Sequence, residues 1–282
     1  MKKLAGFIRL IRPANCIMMG FAVIVGAAIA NYMEFLTKGQ NLIFGFLTGF
    51  LLTAASMAIN DYYDKEIDAV NEPDRPIPSG IIKPSEALAL TLILIILGLT
   101  AAFLTNPSAL SCFITAILFL FISMAYVTVG KRTGLLGNFL VSACVSAPFI
   151  YGSLAVDSIV PLKTWIFVAM VFLSNTGREI TKGIVDVPGD KERNVKTLAV
   201  RFGERKAALA SAAFYLFAVA LTPLPWLLGI VSIWFIPFVL VTNLGLIASS
   251  LMLLKDYSRE RARKIKNQVL AWFFIGLIAF LA

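Results

Sequence analysis

The chain has 282 residues, 59% hydrophobic and 15% charged, with a mean hydropathy of +0.85. Soluble domains run to about 45–50% apolar and about 25% charged, so no water-bounded core of this size absorbs the surplus, and lipid must serve as part of the solvent. The net charge is +9, and the absence of histidine excludes imidazole catalysis and His-ligated zinc.

In chain order, residues 1–12 are basic with no small-residue cleavage site, which reads as the approach to a retained first helix. A bilayer core about 30 Å thick needs about 20 apolar helical residues. Nine segments qualify: 13–33, 41–61, 85–104, 108–128, 135–154, 162–182, 205–223, 228–254 and 266–282. Helices are predicted because irregular backbone cannot face lipid. Thr105-Asn106-Pro107 and Pro223-Leu224-Pro225 mark hairpin turns. Cys16, Cys112 and Cys144 sit inside apolar runs without CxxC spacing and read as buried hydrophobes. With the N-terminus inside, 23 of the 25 Lys and Arg fall on the inside, and Lys38 and Lys163 alone lie outside. That bias predicts an N-in, C-out protein of the cell membrane, with nine spans and contacts to membrane lipid. The basic residues form no soluble module, so nucleic acid is not an expected partner, and nothing implies an obligatory protein partner.

The acidic residues are not explained by topology. The second span ends in Asn60-Asp61-Tyr62-Tyr63-Asp64-Lys65-Glu66-Ile67-Asp68. On a continuing helix Asp61, Asp64 and Asp68 stand at i, i+3 and i+7, on one face, with Asn60 four residues before Asp64. Like charges on one stripe repel, and a hard cation such as Mg²⁺, completed by water and phosphate oxygens, is the natural reason to keep them. The bland alternative is a solvated helix end. The sixth span repeats the pattern: a shift of 122 residues lays Asp64 on Asp186 and Asp68 on Asp190. A weak repeat of spans 1–4 in spans 5–8 follows, within one transmembrane domain over 1–282. Pro188 and Gly189 are expected to loosen the helix before Asp190. Two acidic ends suit two Mg²⁺ ions on a diphosphate, with Asp61, Asp64 and Asp186 the expected catalytic carboxylates. Arg75, in a Pro-rich loop after the first motif, would lie near the phosphates.

NDYYDKEIDAVNEPDRPIPSG at 60–80, YVTVGKR at 126–132 and DVPGD at 186–190 resemble the signatures of the UbiA superfamily of intramembrane prenyltransferases. Asn60, Asp61, Asp64 and Asp68 match its N-D-x-x-D-x-x-x-D motif, and Asp186 and Asp190 its D-x-x-x-D. The resemblance implies an all-α bundle of nine helices around a central cavity, an inside-facing cap from the loops after spans two and six, and Mg²⁺-dependent binding of a prenyl diphosphate on the cytoplasmic side. It also implies diphosphate contacts from Arg75, Tyr126, Lys131 and Arg132, and places Asn15 at the polar end of the cavity. The chemistry implied is ionisation of the allylic C–O bond, with the acceptor attacking the carbocation.

Within the superfamily, the first motif and GREITKGIVDVPGDKERNVKTLAVRFG most resemble the archaeal branch that joins geranylgeranyl to the glycerol hydroxyl of geranylgeranylglyceryl phosphate. Arg178, Lys182, Lys191, Arg193 and Lys196 supply more cation than one diphosphate needs, which suits a phosphorylated, lipid-like acceptor. Positive-inside charge accounts for part of that set. An aromatic or quinone-precursor acceptor is the alternative in the same family. A transporter is the alternative of another class, opposed by the clustering of the acids at one membrane surface.

Overall fold

Apolar runs in lipid must close their backbone hydrogen bonds internally, and the computed structural model, which describes residues 2–106, 108–192 and 195–280, holds helices and turns but no strand among them. The chain divides into two units, Met1–Thr128 with Pro148–Val160, and Val129–Ala147 with Pro161–Ala282.

The first unit contains α1 (Lys2–Ile11), α2 (Pro13–Ala30), α3 (Tyr32–Thr37), α4 (Gly39–Tyr63), α5 (Lys65–Asn71), α6 (Pro84–Thr105), α7 (Ser111–Thr128) and the C-terminal part of α8 (Leu135–Val156). α4 packs against α2, α6 and α7. Small residues let helices approach, as expected where lipid competes for apolar surface. A Cβ at Gly152 would overlap the carbonyl oxygen of Val23, and one at Gly26 the backbone of Phe149. Beside this contact the buried Tyr151 hydroxyl donates to Thr48 Oγ1 at 3.2 Å and lies 2.9 Å from Thr105 Oγ1. Gly152→Val is therefore expected to lower stability by about 1–3 kcal/mol, the usual range for overpacking. A thermal melt in detergent checks this.

The second unit contains the first half of α8, then α9 (Leu162–Val185), α10 (Val187–Glu192), α11 (Leu198–Phe202), α12 (Glu204–Leu221), α13 (Pro223–Leu227), α14 (Phe235–Lys255) and α15 (Arg259–Ala279). α9 packs on α12 and α15, around a core that includes Ile184, Tyr215, Leu253 and Ile265. The Tyr215 ring lies over Gly177, and its hydroxyl is 3.1 Å from Thr181 Oγ1, which is 2.7 Å from Ser211 Oγ. α8 passes from one unit to the other at Pro148, which lacks the N–H that would continue the helical ladder.

Large apolar side chains point outward in both units: Phe121 is 72% exposed, Phe217 62% and Leu244 66%. Surfaces of this kind call for lipid, and the protein is a multi-pass membrane protein. A helix occupies each of the nine expected segments, yet only seven stretches among the described residues are long and apolar enough to cross a bilayer by composition: α2, α4, α6, α7, α8, Glu204–Leu227 and α14. The two that fall short carry charge within the helix, Arg178, Glu179 and Lys182 in α9 and the run RERARKIK opening α15. The ninth helix starts at Arg259 rather than 266, because Ser258 caps it by accepting from the Arg261 N–H at 3.3 Å. The eighth starts at Phe235 rather than 228, after a turn with Gly229 at φ 65°.

Candidate active site

The first acidic end is built around one non-helical residue. α4 stops at Tyr63, Asp64 takes φ −86° and ψ 0°, and α5 begins at Lys65. That conformation lies in a sparsely populated region common at functional sites. The hydrogen-bond ladder survives it: the Asp64 N–H donates to Asn60 O at 3.0 Å, Asp68 to Asp64 at 2.7 Å and Glu72 to Asp68 at 2.8 Å. The spacing of the motif is thus kept across a bend. The Asn60 side-chain amide donates to Asp64 Oδ2 at 3.0 Å.

Asp61 and Asp68 are buried, 3% and 4% exposed, and both are matched by arginine. Arg12 Nη2 lies 2.6 Å from Asp61 Oδ1, and Arg75 Nη1 lies 2.5 Å from Asp68 Oδ2 and 3.5 Å from Asp61 Oδ1. Burial raises the Asp68 carboxyl above its ordinary pKa against the pull of Arg75, with Asp64 and Asp61 adding repulsion. Arg75 itself is held above its ordinary value; burial lowers it, and Asp68 and Asp61 more than offset that. Arg75 reaches this place because the Pro-rich loop folds into turns, with Ser79 N–H on Arg75 O at 3.0 Å and Ile82 N–H on Pro76 O at 2.9 Å. Ile77 and Ile82 then bury against Leu10, Ala58 and Ala87.

Arg12 is the residue that the sequence does not mark, since its charge reads there as topology. Among the described residues it is the one non-glycine with positive φ, 52°, at the junction of α1 and α2. Pro13 disfavours the right-handed helical conformation for it. A left-handed residue costs on the order of 1–2 kcal/mol, and the turn it makes leaves the Arg12 guanidinium 2.6 Å from Asp61. The Arg-Pro junction before a span is the signal that would have drawn attention to it.

The second acidic end repeats the first. α9 stops at Val185, Asp186 takes φ −93° and ψ 0°, and α10 follows. Asp186 N–H donates to Lys182 O at 3.1 Å, and Asp190 N–H to Asp186 O at 2.9 Å. Pro188 and Gly189 therefore do not loosen this turn, contrary to expectation. Pro188 stands in the first turn of α10, where its missing N–H has no partner to lose. Asp186 is exposed and Asp190 half-buried. Arg259 Nε donates to Val185 O at 2.9 Å and closes the end of α9. On that helix the buried Glu179, another residue passed over in the sequence, accepts from Arg178 Nη1 at 3.2 Å and Lys182 Nζ at 3.0 Å.

Lys131 and Arg132 lie on a 3₁₀ turn, Gly130–Thr133, followed by Gly134 at φ 69°. A Cβ on Gly134 would overlap the Lys196 carbonyl oxygen, so this turn rests on the segment that follows the second acidic end. Lys191 and Lys196 are exposed, and Arg193 lies outside the described residues. Tyr126 is half-buried on α7 in the other unit. Asn15 is exposed on α2, its amide nitrogen 3.9 Å from Met57 Sδ.

Among the described residues no three carboxylates converge as a closed metal cage. All-oxygen donors spaced along a helix end fit Mg²⁺, which usually takes one or two carboxylates and fills its remaining positions with water and phosphate. They fit zinc and the softer metals poorly.

The model of the UbiA prenyltransferase family matches residues 19–278, and the chain belongs to that family, as a transferase. It is 37% identical over 277 residues to the digeranylgeranylglyceryl phosphate synthase of Archaeoglobus fulgidus, covering 97% of this chain and 93% of that one. The structure reported as "Structural and mechanistic insights into the biosynthesis of Digeranylgeranylglyceryl phosphate synthase in membranes" superposes with a TM-score of 0.78 at 32% identity, covering 100% of this chain and 98% of that chain. A UbiA homolog from Archaeoglobus fulgidus bound to DMAPP and Mg²⁺ shares the fold, with a TM-score of 0.67 at 19% identity over 96% of this chain and 98% of that chain.

Proposed function

We propose that this enzyme transfers the geranylgeranyl group of geranylgeranyl diphosphate to the glycerol hydroxyl of geranylgeranylglyceryl phosphate, forming the second ether bond of archaeal lipids. The full-length identity to digeranylgeranylglyceryl phosphate synthase carries the reading. The cation-rich stretch around the second acidic end supports it, because a phosphorylated acceptor uses charge that a phenol does not. Family membership sets the transporter reading aside.

Asn60, Asp61, Asp64 and Asp68 at one end, and Asp186 and Asp190 at the other, would hold Mg²⁺; a UbiA homolog of the same fold is bound to DMAPP and Mg²⁺. Two ions match the two ends. Mg²⁺ held there would supply positive charge to the leaving diphosphate, which would favour allylic C–O cleavage. Arg75, Tyr126, Lys131 and Arg132 bind and orient the diphosphate oxygens. Arg12 pairs with Asp61, and Arg75 with Asp68, until the substrate arrives. The apolar interior keeps water from the carbocation, and Asn15 supplies a polar contact at its end. Arg178, Lys182, Lys191 and Lys196 draw in the acceptor's phosphate. The positive-inside bias supports nine spans with the N-terminus and the active site on the cytoplasmic side.

The test is an acceptor panel, with purified protein, Mg²⁺ and geranylgeranyl diphosphate, and products read by mass spectrometry. A diether from geranylgeranylglyceryl phosphate is expected. Prenylation of a phenolic acid with no diether would reject the acceptor assignment.

A further inference from the structure

Glu179 sits 8% exposed on α9, three residues before Lys182 and seven before Asp186, and so on the Asp186 face of the helix. Its two oxygens are taken by Arg178 and Lys182, at 3.2 and 3.0 Å. Lys266 is half-buried on α15, which packs on α9, and there it shares the field of Glu179, Lys182, Arg178 and Asp186. One buried carboxylate thus answers three cations. The Arg178 Nε–H is buried and has no hydrogen-bond partner in the protein, a donor left open to a water, an ion or a substrate oxygen. The hydroxyls of Thr181, Ser211 and Tyr215 bond one another and do not compete for it.

With Glu179 offsetting one of the three positive charges and Asp186 given to the metal, about two positive charges remain, which matches the roughly −1.5 to −2 of a phosphate monoester near neutral pH. A carboxylate acceptor would leave one charge unmatched, and a phenol both. Arg263, also near Lys266, is exposed and screened by water.

We infer that Arg178, Lys182 and Lys266 form the seat of the acceptor's phosphate monoester, with Glu179 as the positioning residue that holds Arg178 and Lys182 for it. The inference rests on the phosphorylated-acceptor reading above and adds Lys266 and Glu179 to it. Lys266 enters from α15, far along the chain from both motifs, so discrimination between acceptors is set where α9 and α15 pack. A lipid headgroup phosphate offers the same chemistry as the acceptor, and the bilayer composition separates the two.

The experiment uses the full-length enzyme in nanodiscs of neutral lipid and in nanodiscs containing anionic lipid, with geranylgeranyl diphosphate and geranylgeranylglyceryl phosphate varied in turn. Lys266→Gln is expected to raise the acceptor KM about tenfold to a hundredfold, the loss of one charged hydrogen bond, and to move the prenyl diphosphate KM by less than about twofold. Lys266→Arg should recover most of the loss with a melting temperature near wild type, and Glu179→Gln should raise the acceptor KM alone, with a melting temperature lowered by the loss of its two ion pairs. Equal rises in both KM values, or no rise in either, would overturn the inference and leave the acceptor reading standing. An effect confined to anionic nanodiscs would overturn it in favour of a lipid headgroup. A wild-type enzyme that makes no ether from the phosphorylated acceptor, yet prenylates a phenolic acid, overturns both.

Discussion

Asp64→Ala and Asp186→Ala are each expected to lower kcat by about a hundredfold to a thousandfold, the usual cost of removing one preorganised electrostatic stabiliser. Neither should unfold the protein. Asp64 is half-buried and Asp186 exposed, and the conformation of each is held by backbone bonds that alanine keeps. The loss should fall on kcat more than on KM for the acceptor, because the lost interaction strengthens as charge develops on the leaving diphosphate. Single-turnover kinetics beside a thermal melt would separate this from misfolding. Wild-type turnover in both variants would remove the metal-site reading altogether.

Arg75→Ala should harm stability and activity together, and it is the most damaging change outside the carboxylates. Asp61 and Asp68 are nearly dry, and the substitution leaves Asp68 charged, buried and unpaired and Asp61 with Arg12 alone. Breaking a buried pair typically costs about 3–5 kcal/mol, and Arg75, 31% exposed, places the expected loss near the lower limit. Arg75→Lys should recover only part, since a point charge cannot span Asp61 and Asp68 as the guanidinium does. A denaturation series on the three proteins checks the order. High Mg²⁺ should narrow the stability gap, because a cation at the same carboxylates replaces the missing charge.

The sequence reveals the helices well, because lipid leaves long apolar runs few alternatives. It reveals the charges at their ends less well. Charged residues within α9 and α15 belong to the helices, where hydropathy alone ends the spans, because Glu179 pairs with Arg178 and Lys182 and Ser258 caps an otherwise polar start. Both acidic motifs are visible as spacing, and the offset of 122 residues predicts their likeness. The bend at Asp64 and Asp186 is not visible, since a single residue at ψ 0° leaves periodicity intact. Pro188 misleads for the opposite reason: proline breaks a helix interior but suits a first turn. Arg12 and Lys266 are hidden because pairing is tertiary. Arg12 meets Asp61 across 49 positions of chain, and only the Pro13 that follows it distinguishes it locally from Arg9.

The most direct test of the central claim is the stoichiometry of one reaction. Purified protein in vesicles, given labelled geranylgeranyl diphosphate, geranylgeranylglyceryl phosphate and Mg²⁺, should yield one labelled diether for each inorganic diphosphate released. Omitting Mg²⁺ should stop both together. Diphosphate release without diether, or diether formation undiminished by chelator, would contradict the account.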